Sequence, residues 1–162
     1  MSTNPSVTPL IEQFQLQSRL FNNVLDGIKS TDNSKRVSDN LNHVSWQAGH
    51  VVFARYLLAG TLGIKDANPY DELYSNFRPL DPNVKYPGVE EAKAKFAEIT
   101  GKIIPALQNI TDENLSAALP FKIPIGDNTV RGMIAFLSHH EAYHIGQLST
   151  LRKYLGYGPM KY

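Results

Sequence analysis

An all-α fold, specifically a four-helix bundle, is predicted by three features of the sequence. Four long segments carry apolar residues at helical spacing. The length of 162 residues suits one domain with one core. With 42% hydrophobic and 19% charged residues, the chain has enough apolar surface to fold around that core. Four long helices in one domain, spanning 1–162, imply a bundle.

The first helix is expected over about 9–29, where Leu10, Phe14, Phe21, Leu25 and Ile28 fall on one face. Thr8 followed by Pro9 fits an N-cap with proline at the first helical position. Residues 30–38, STDNSKRVS, read as a loop. The second helix is expected over 39–61, ending near Gly63. With His50 at the centre of its wheel, Trp46, Phe53, Ala54, Leu57 and Thr61 lie within about 60° of it. Residues 63–88 hold four prolines with Tyr70, Tyr74, Phe77 and Tyr86. So long a connection between the second and third helices is either a packed link or a cover over a site. The third helix is expected over 89–109, with Pro105 kinking or shortening it because proline lacks the amide donor. TDENLSAAL adds a short helical turn, and PFKIPIGDNTV reads as extended with a turn at Gly126-Asp127-Asn128. The fourth helix is expected over 129–155, capped by Asn128 or Thr129 and ended by Gly156.

Composition excludes several functions. The net charge is +1 and no long basic run occurs, which argues against a nucleic-acid partner. The N-terminus MSTNPSVTP lacks the pattern of a secretory signal, and no apolar run is long enough for a bilayer. A cytoplasmic location without a membrane partner is the expectation. There is no cysteine. Disulfides, thiolate metal sites and a cysteine nucleophile are therefore excluded, and any thiol chemistry must use a thiol supplied by a ligand.

The chemistry concentrates in SHHEAYHIGQL. His140-Glu141-Ala142-Tyr143-His144 reads literally as H-E-x-x-H, the zinc-protease pattern. In zincins the third ligand follows the second histidine. After His144 the chain contains no Asp, Glu, His or Cys, so a downstream ligand does not exist. On the fourth helix His140 and His144 lie in the apolar stripe with Met133, Phe136, Leu137 and Leu151, all within about 60° of His140. Two histidines four residues apart can bind one metal. His50, central on its own stripe, is the candidate third ligand. Three core histidines without metal are the alternative, and the shared spacing favours a metal.

Other candidates are weaker. Glu141 lies about 80° from the midpoint of the two histidines, so it is not expected to ligate. It could support a histidine or act as a base, but a solvated edge position fits it better. Gln147 faces inward and could hydrogen-bond a ligand histidine, or serve packing together with Gly146. His43 lies roughly 10 Å from His50 along the helix, too far for one metal, and fits a capped or partly buried residue. His139 is expected at the surface and Trp46 in the core.

SWQAGHVVFAR and HHEAYHIGQLSTLRKYLG resemble the two signature segments of the DinB-like (DinB/YfiT) metalloenzyme family. The match is specific at His140, His144, Gly146 and Gln147 and looser elsewhere. The resemblance implies a DinB/YfiT-type four-helix bundle, a divalent metal held by His50, His140 and His144, and a homodimer. Imidazole ligands suit zinc, nickel, iron or copper, with zinc or nickel the first expectation. The family includes thiol-dependent enzymes, so a low-molecular-weight thiol cofactor and a small-molecule substrate are implied. Thiol transfer to a small electrophile is the leading function. Metal-assisted hydrolysis and a non-catalytic, stress-related metal protein are the alternatives.

Overall fold

A computed structural model describes residues 4–162. It is all-helical apart from a single antiparallel bridge between Ala118 and Thr129. Four long helices dominate: α1 (Thr8–Leu25), α2 (Val44–Thr61), α4 (Val89–Gln108) and α6 (Val130–Tyr154). Two short helices, α3 (Asp71–Tyr74) and α5 (Asp112–Ser116), lie in the connections.

The neighbours in space are α1 with α4 and α6, and α2 with α4 and α6. The four helices thus form a ring in the order α1, α4, α2, α6. The 26–43 and 109–129 segments cross diagonals of this ring, and residues 62–88 join two adjacent helices. Cross-contacts between α2 and α6 run in opposite directions, with Gln47 on His144 and His50 on His140, so this pair is antiparallel.

Each boundary has a local cause. α1 begins at an N-cap formed by Val7, with Pro9 in the first turn. It ends at Leu25, four residues before the expected end. Asp26 is extended and Gly27 adopts φ 69°, where only a residue without Cβ sits easily. α2 starts five residues later than expected. His43 is its N-cap, and its Nδ1 accepts the Trp46 amide at 3.1 Å, satisfying a donor that the helix leaves free. Thr129 caps α6 in the same way, through Gly132 N–H. Pro105 does not shorten α4, which runs on to Gln108. Pro105 carries no N–H, so the ladder bond it would have made to the Gly101 carbonyl is missing and the helix continues for three residues beyond it.

The core is continuous through all four long helices. Phe14 and Phe21 of α1, Val51 and Leu58 of α2, Phe96, Ile99 and Ile103 of α4, and Ile134 and Leu148 of α6 are all buried. At its centre sits a charged pin. Arg55 of α2, 1% exposed, reaches every other long helix. It donates to Glu141 of α6 through Nε and Nη2, at 2.6 and 2.5 Å. It also donates to the Thr100 hydroxyl of α4 at 3.0 Å and to the Phe14 carbonyl of α1 at 3.2 Å. Its guanidinium lies over the Phe14 and Phe96 rings. A buried arginine is tolerable only when paired and hydrogen-bonded in this way. Among the described residues, no helix is long and apolar enough to cross a membrane.

Candidate metal centre

The three predicted histidines converge between α2 and α6. His140 Nε2 lies 3.2 Å from His50 Nε2 and 3.2 Å from His144 Nε2. One ring nitrogen from each residue falls within 4.8 Å of the other two. α2 contributes His50 because its apolar stripe faces α6. α6 contributes the pair because residues four apart share a helix face.

Hydrogen bonding alone does not account for this contact. His144 Nδ1 is 2.7 Å from Gln47 Oε1, so it donates there and leaves Nε2 as a lone pair. His140 Nε2 then faces two other nitrogens, and neutral imidazoles can make at most one full hydrogen bond among the three. The Nδ1 atoms of His50 and His140 are buried without partners. Burial first, then His144 and His140, pushes the His50 pKa down to about 3. Burial and then His140 push His144 down to about 4. Burial and then His139 lower His140. All three are thus neutral near pH 7, the state that ligates metal. Nitrogens on a tetrahedral ion with bonds of about 2.0–2.1 Å stand roughly 3.3 Å apart. The observed separations of 3.2 Å match that spacing, and a cation would satisfy all three lone pairs together. The residues therefore fit a divalent metal.

Aromatic groups frame the cluster. Trp46 stacks on His50 with centroids 4.8 Å apart and rings tilted by 14°. Tyr74 of α3 sets its edge against both His50 and Trp46 and donates to the Trp46 carbonyl at 3.0 Å. Burial pushes the Tyr74 phenol far above its ordinary pKa, which keeps that donor protonated. The expected cover is therefore present: part of the 63–88 connection lies over the site through Tyr74. Tyr70 points elsewhere, to Glu91. A cavity of ≈ 630 Å³ lies beside the cluster, lined by His50, His140, Trp46, Phe53 and Phe136 and rimmed by Phe77.

One expectation is corrected. Glu141 is not a solvated edge residue. It is 2% exposed, and both its oxygens bind Arg55. Burial pushes its carboxyl up, while the adjoining Arg55 guanidinium pulls against that shift. The Glu141 carboxylate is committed to Arg55, which removes it as a protease-type base. Gln147 lies beside His144 and works against the lowering of its pKa, while its own buried Oε1 has no partner. A further glutamine, Gln47, one turn before His50, supports a histidine through its Oε1 on His144 Nδ1. Its place in SWQAGH, about 60° from His50 on the wheel, was the available signal. Arg55 was also missed, since it falls about 140° from His50, outside the apolar stripe. His43 is the buried cap expected near the helix start, and His139 is exposed as expected.

Fold and site together define a helical bundle with a three-histidine cluster, opening on a cavity, that could hold a metal ion. Residues 9–148 match the DinB superfamily model, and the chain belongs to that superfamily. Two solved structures share its fold. One is a DinB-like protein from Bacillus subtilis, with a TM-score of 0.66 and 15% identity, covering 96% of this chain and 97% of that one. The other is a conserved protein from Enterococcus faecalis, with a TM-score of 0.62 and 15% identity, covering 91% of this chain and 95% of that one. No curated protein sequence matches significantly.

Proposed function

We propose that this protein is a metal-dependent enzyme that transfers a thiol to a small electrophile, with His50, His140 and His144 holding a divalent ion. Zinc or nickel is the first candidate and iron the next. The observation that carries the reading is the cluster of three neutral Nε2 atoms at metal-ligand spacing, two of whose histidines line a cavity of ≈ 630 Å³. Three protein ligands leave a position for an exogenous group, the arrangement of catalytic sites. When bound, the ion supplies Lewis acidity that lowers the pKa of a thiol or water. Gln47 fixes the tautomer and orientation of His144. Trp46 and Tyr74 hold His50 in place and keep water from one side of it. Because the chain has no cysteine, the thiol comes from a small cofactor. The family resemblance leads to the same reaction class and adds a homodimer.

The test is elemental analysis of protein purified without an affinity tag, followed by cobalt substitution and optical titration with small thiols and azide. One ion per chain, lost in His140→Ala, and a spectrum changed by thiols are expected. Turnover of an electrophile with a thiol cofactor then completes the assignment. A response to azide alone, with hydrolysis of a small ester and no thiol turnover, would make the protein a hydrolase. No response to any exogenous ligand would make it a non-catalytic metal protein.

A further inference from the structure

The rim of the cavity has an unusual feature. Asn76 and Phe77 both adopt the left-handed region, with φ of 58° and 56°. Asparagine enters this region readily and phenylalanine seldom does. The ring this backbone presents gains nothing in return, because Phe77 is 101% exposed. A strained backbone holding a large apolar ring in water is unfavourable in the free protein on both counts. The strain lies at the mouth of the cavity that leads to His50 and His140.

The walls below Phe77 are mostly apolar. Trp46, Phe53, Leu57, Met133 and Phe136 line the space, with His50 and His140 at the metal-site end and the polar groups of Asn42, Ser75, Asn76 and Arg78 elsewhere in the lining. Trp46 stacks on His50 at this end, with the rings tilted by only 14°. A volume of ≈ 630 Å³ falls within the roughly 300–1,000 Å³ of small-molecule sites, which typically combine apolar walls with a few fixed polar groups. Water or azide would leave most of that apolar surface unpartnered.

We propose that the cavity binds a planar aromatic small molecule carrying a metal-binding head such as a thiolate. The head lies at the three Nε2 atoms and the ring lies among Trp46, Phe53 and Phe136. Phe77 is a specificity-determining residue that folds from solvent onto the ligand's outer face. The placement of the head rests on the metal-site reading above; the placement of the ring does not.

Trp46 is the chain's only tryptophan, so its emission reports on this cavity alone. Zinc-loaded protein is titrated with 2-phenylethanethiol and with ethanethiol, which share an alkyl thiol head and differ by the aryl ring. Binding is followed by Trp46 emission and by calorimetry. Metal-free protein is titrated in parallel with 2-phenylethanol. The aryl thiol is expected to bind at least about tenfold tighter than ethanethiol. Phe77→Asn keeps a residue suited to left-handed φ and removes the ring. It is expected to weaken aryl binding by roughly 3–10-fold and leave ethanethiol unchanged. In metal-free protein, 2-phenylethanol should still shift Trp46 emission. Equal affinity for the two thiols overturns the proposal, as does an unchanged aryl affinity in Phe77→Asn. If that variant instead alters the oligomeric state with ligand binding intact, Phe77 is a contact between copies and the proposal falls. If neither thiol contacts the zinc while 2-phenylethanol binds, the metal reading fails and the aromatic site stands.

Discussion

Removal of one partner from the Arg55–Glu141 pair should be among the most damaging single changes in the bundle. Arg55 and Glu141 are 1% and 2% exposed, so neither charge can turn to water when the other is lost. Glu141→Leu leaves the guanidinium with only the Thr100 hydroxyl and the Phe14 carbonyl. Arg55→Met leaves the carboxylate with neither of its two donors. Truncating one side of such a pair costs about 3–5 kcal/mol, against about 5–15 kcal/mol of total stability for a domain. At about 2–4 °C per kcal/mol for a chain of this size, either change should lower Tm by roughly 6–20 °C. The double variant Arg55→Met with Glu141→Leu removes both charges and fills the space with apolar groups. It should recover to within about 2 kcal/mol of the parent, because the desolvation of two ions is no longer required. The assay is urea unfolding of all four proteins in metal-free form, followed by far-UV circular dichroism and analysed as a double-mutant cycle. A single replacement costing under about 1 kcal/mol would refute the reasoning, since the residue would then not be desolvated in solution. A double variant destabilised by the sum of the two single losses would refute it also, because the two losses would be uncoupled. Glu141→Gln should leave the metal content of folded protein unchanged, because the side chain turns to Arg55 and away from the three Nε2 atoms.

Gln47→Leu should lower metal affinity by about 10–100-fold while keeping one ion per chain at saturation, as read by competition with a chromophoric chelator. The His144 Nδ1–H then loses its acceptor at 2.7 Å. Gly49→Ala should destabilise the protein by about 1–3 kcal/mol in thermal unfolding. Its Cβ would stand 2.1 Å from the Tyr74 hydroxyl and 2.8 Å from Pro87 Cγ, which forces Tyr74 off the Trp46 carbonyl. Without metal, stability should fall with pH. His50 and His144 have folded pKa values of about 3 and about 4, below the ordinary 6.5. The unfolded chain therefore binds more protons, so their contribution is complete above about pH 6.5 and is lost progressively down to about pH 3–4. Urea midpoints measured across that window check the sign. A midpoint that rises on acidification, with both imidazoles in their native environment, would contradict it.

The sequence by itself determined the elements and the ligand pair. Apolar spacing of 3.6 is a local property, so four helices could be located without reference to any contact. The four-residue separation of His140 and His144 places them on one face whatever surrounds the helix. The centring of His50 on its stripe was equally legible, as was the absence of any ligand after His144. Helix ends were less so. Apolar spacing starts α2 at Asp39, and only folding gives the His43 ring a Trp46 amide to accept.

The tertiary structure decided which helices meet. A stripe says that a face is buried, but the ring order α1, α4, α2, α6 sets what it is buried against. That order brings His50 to His140 and Gln47 to His144. Glu141 reads as an edge residue because it lies about 80° from the midpoint of the two histidines on the wheel. Its position became a core position only when α2 packed beside α6 and supplied Arg55, whose own place outside the stripe gave no sign of the pairing. Local periodicity follows from the backbone of one helix. The identity of a partner depends on the packing and rotation of two helices, and single-helix hydropathy carries neither.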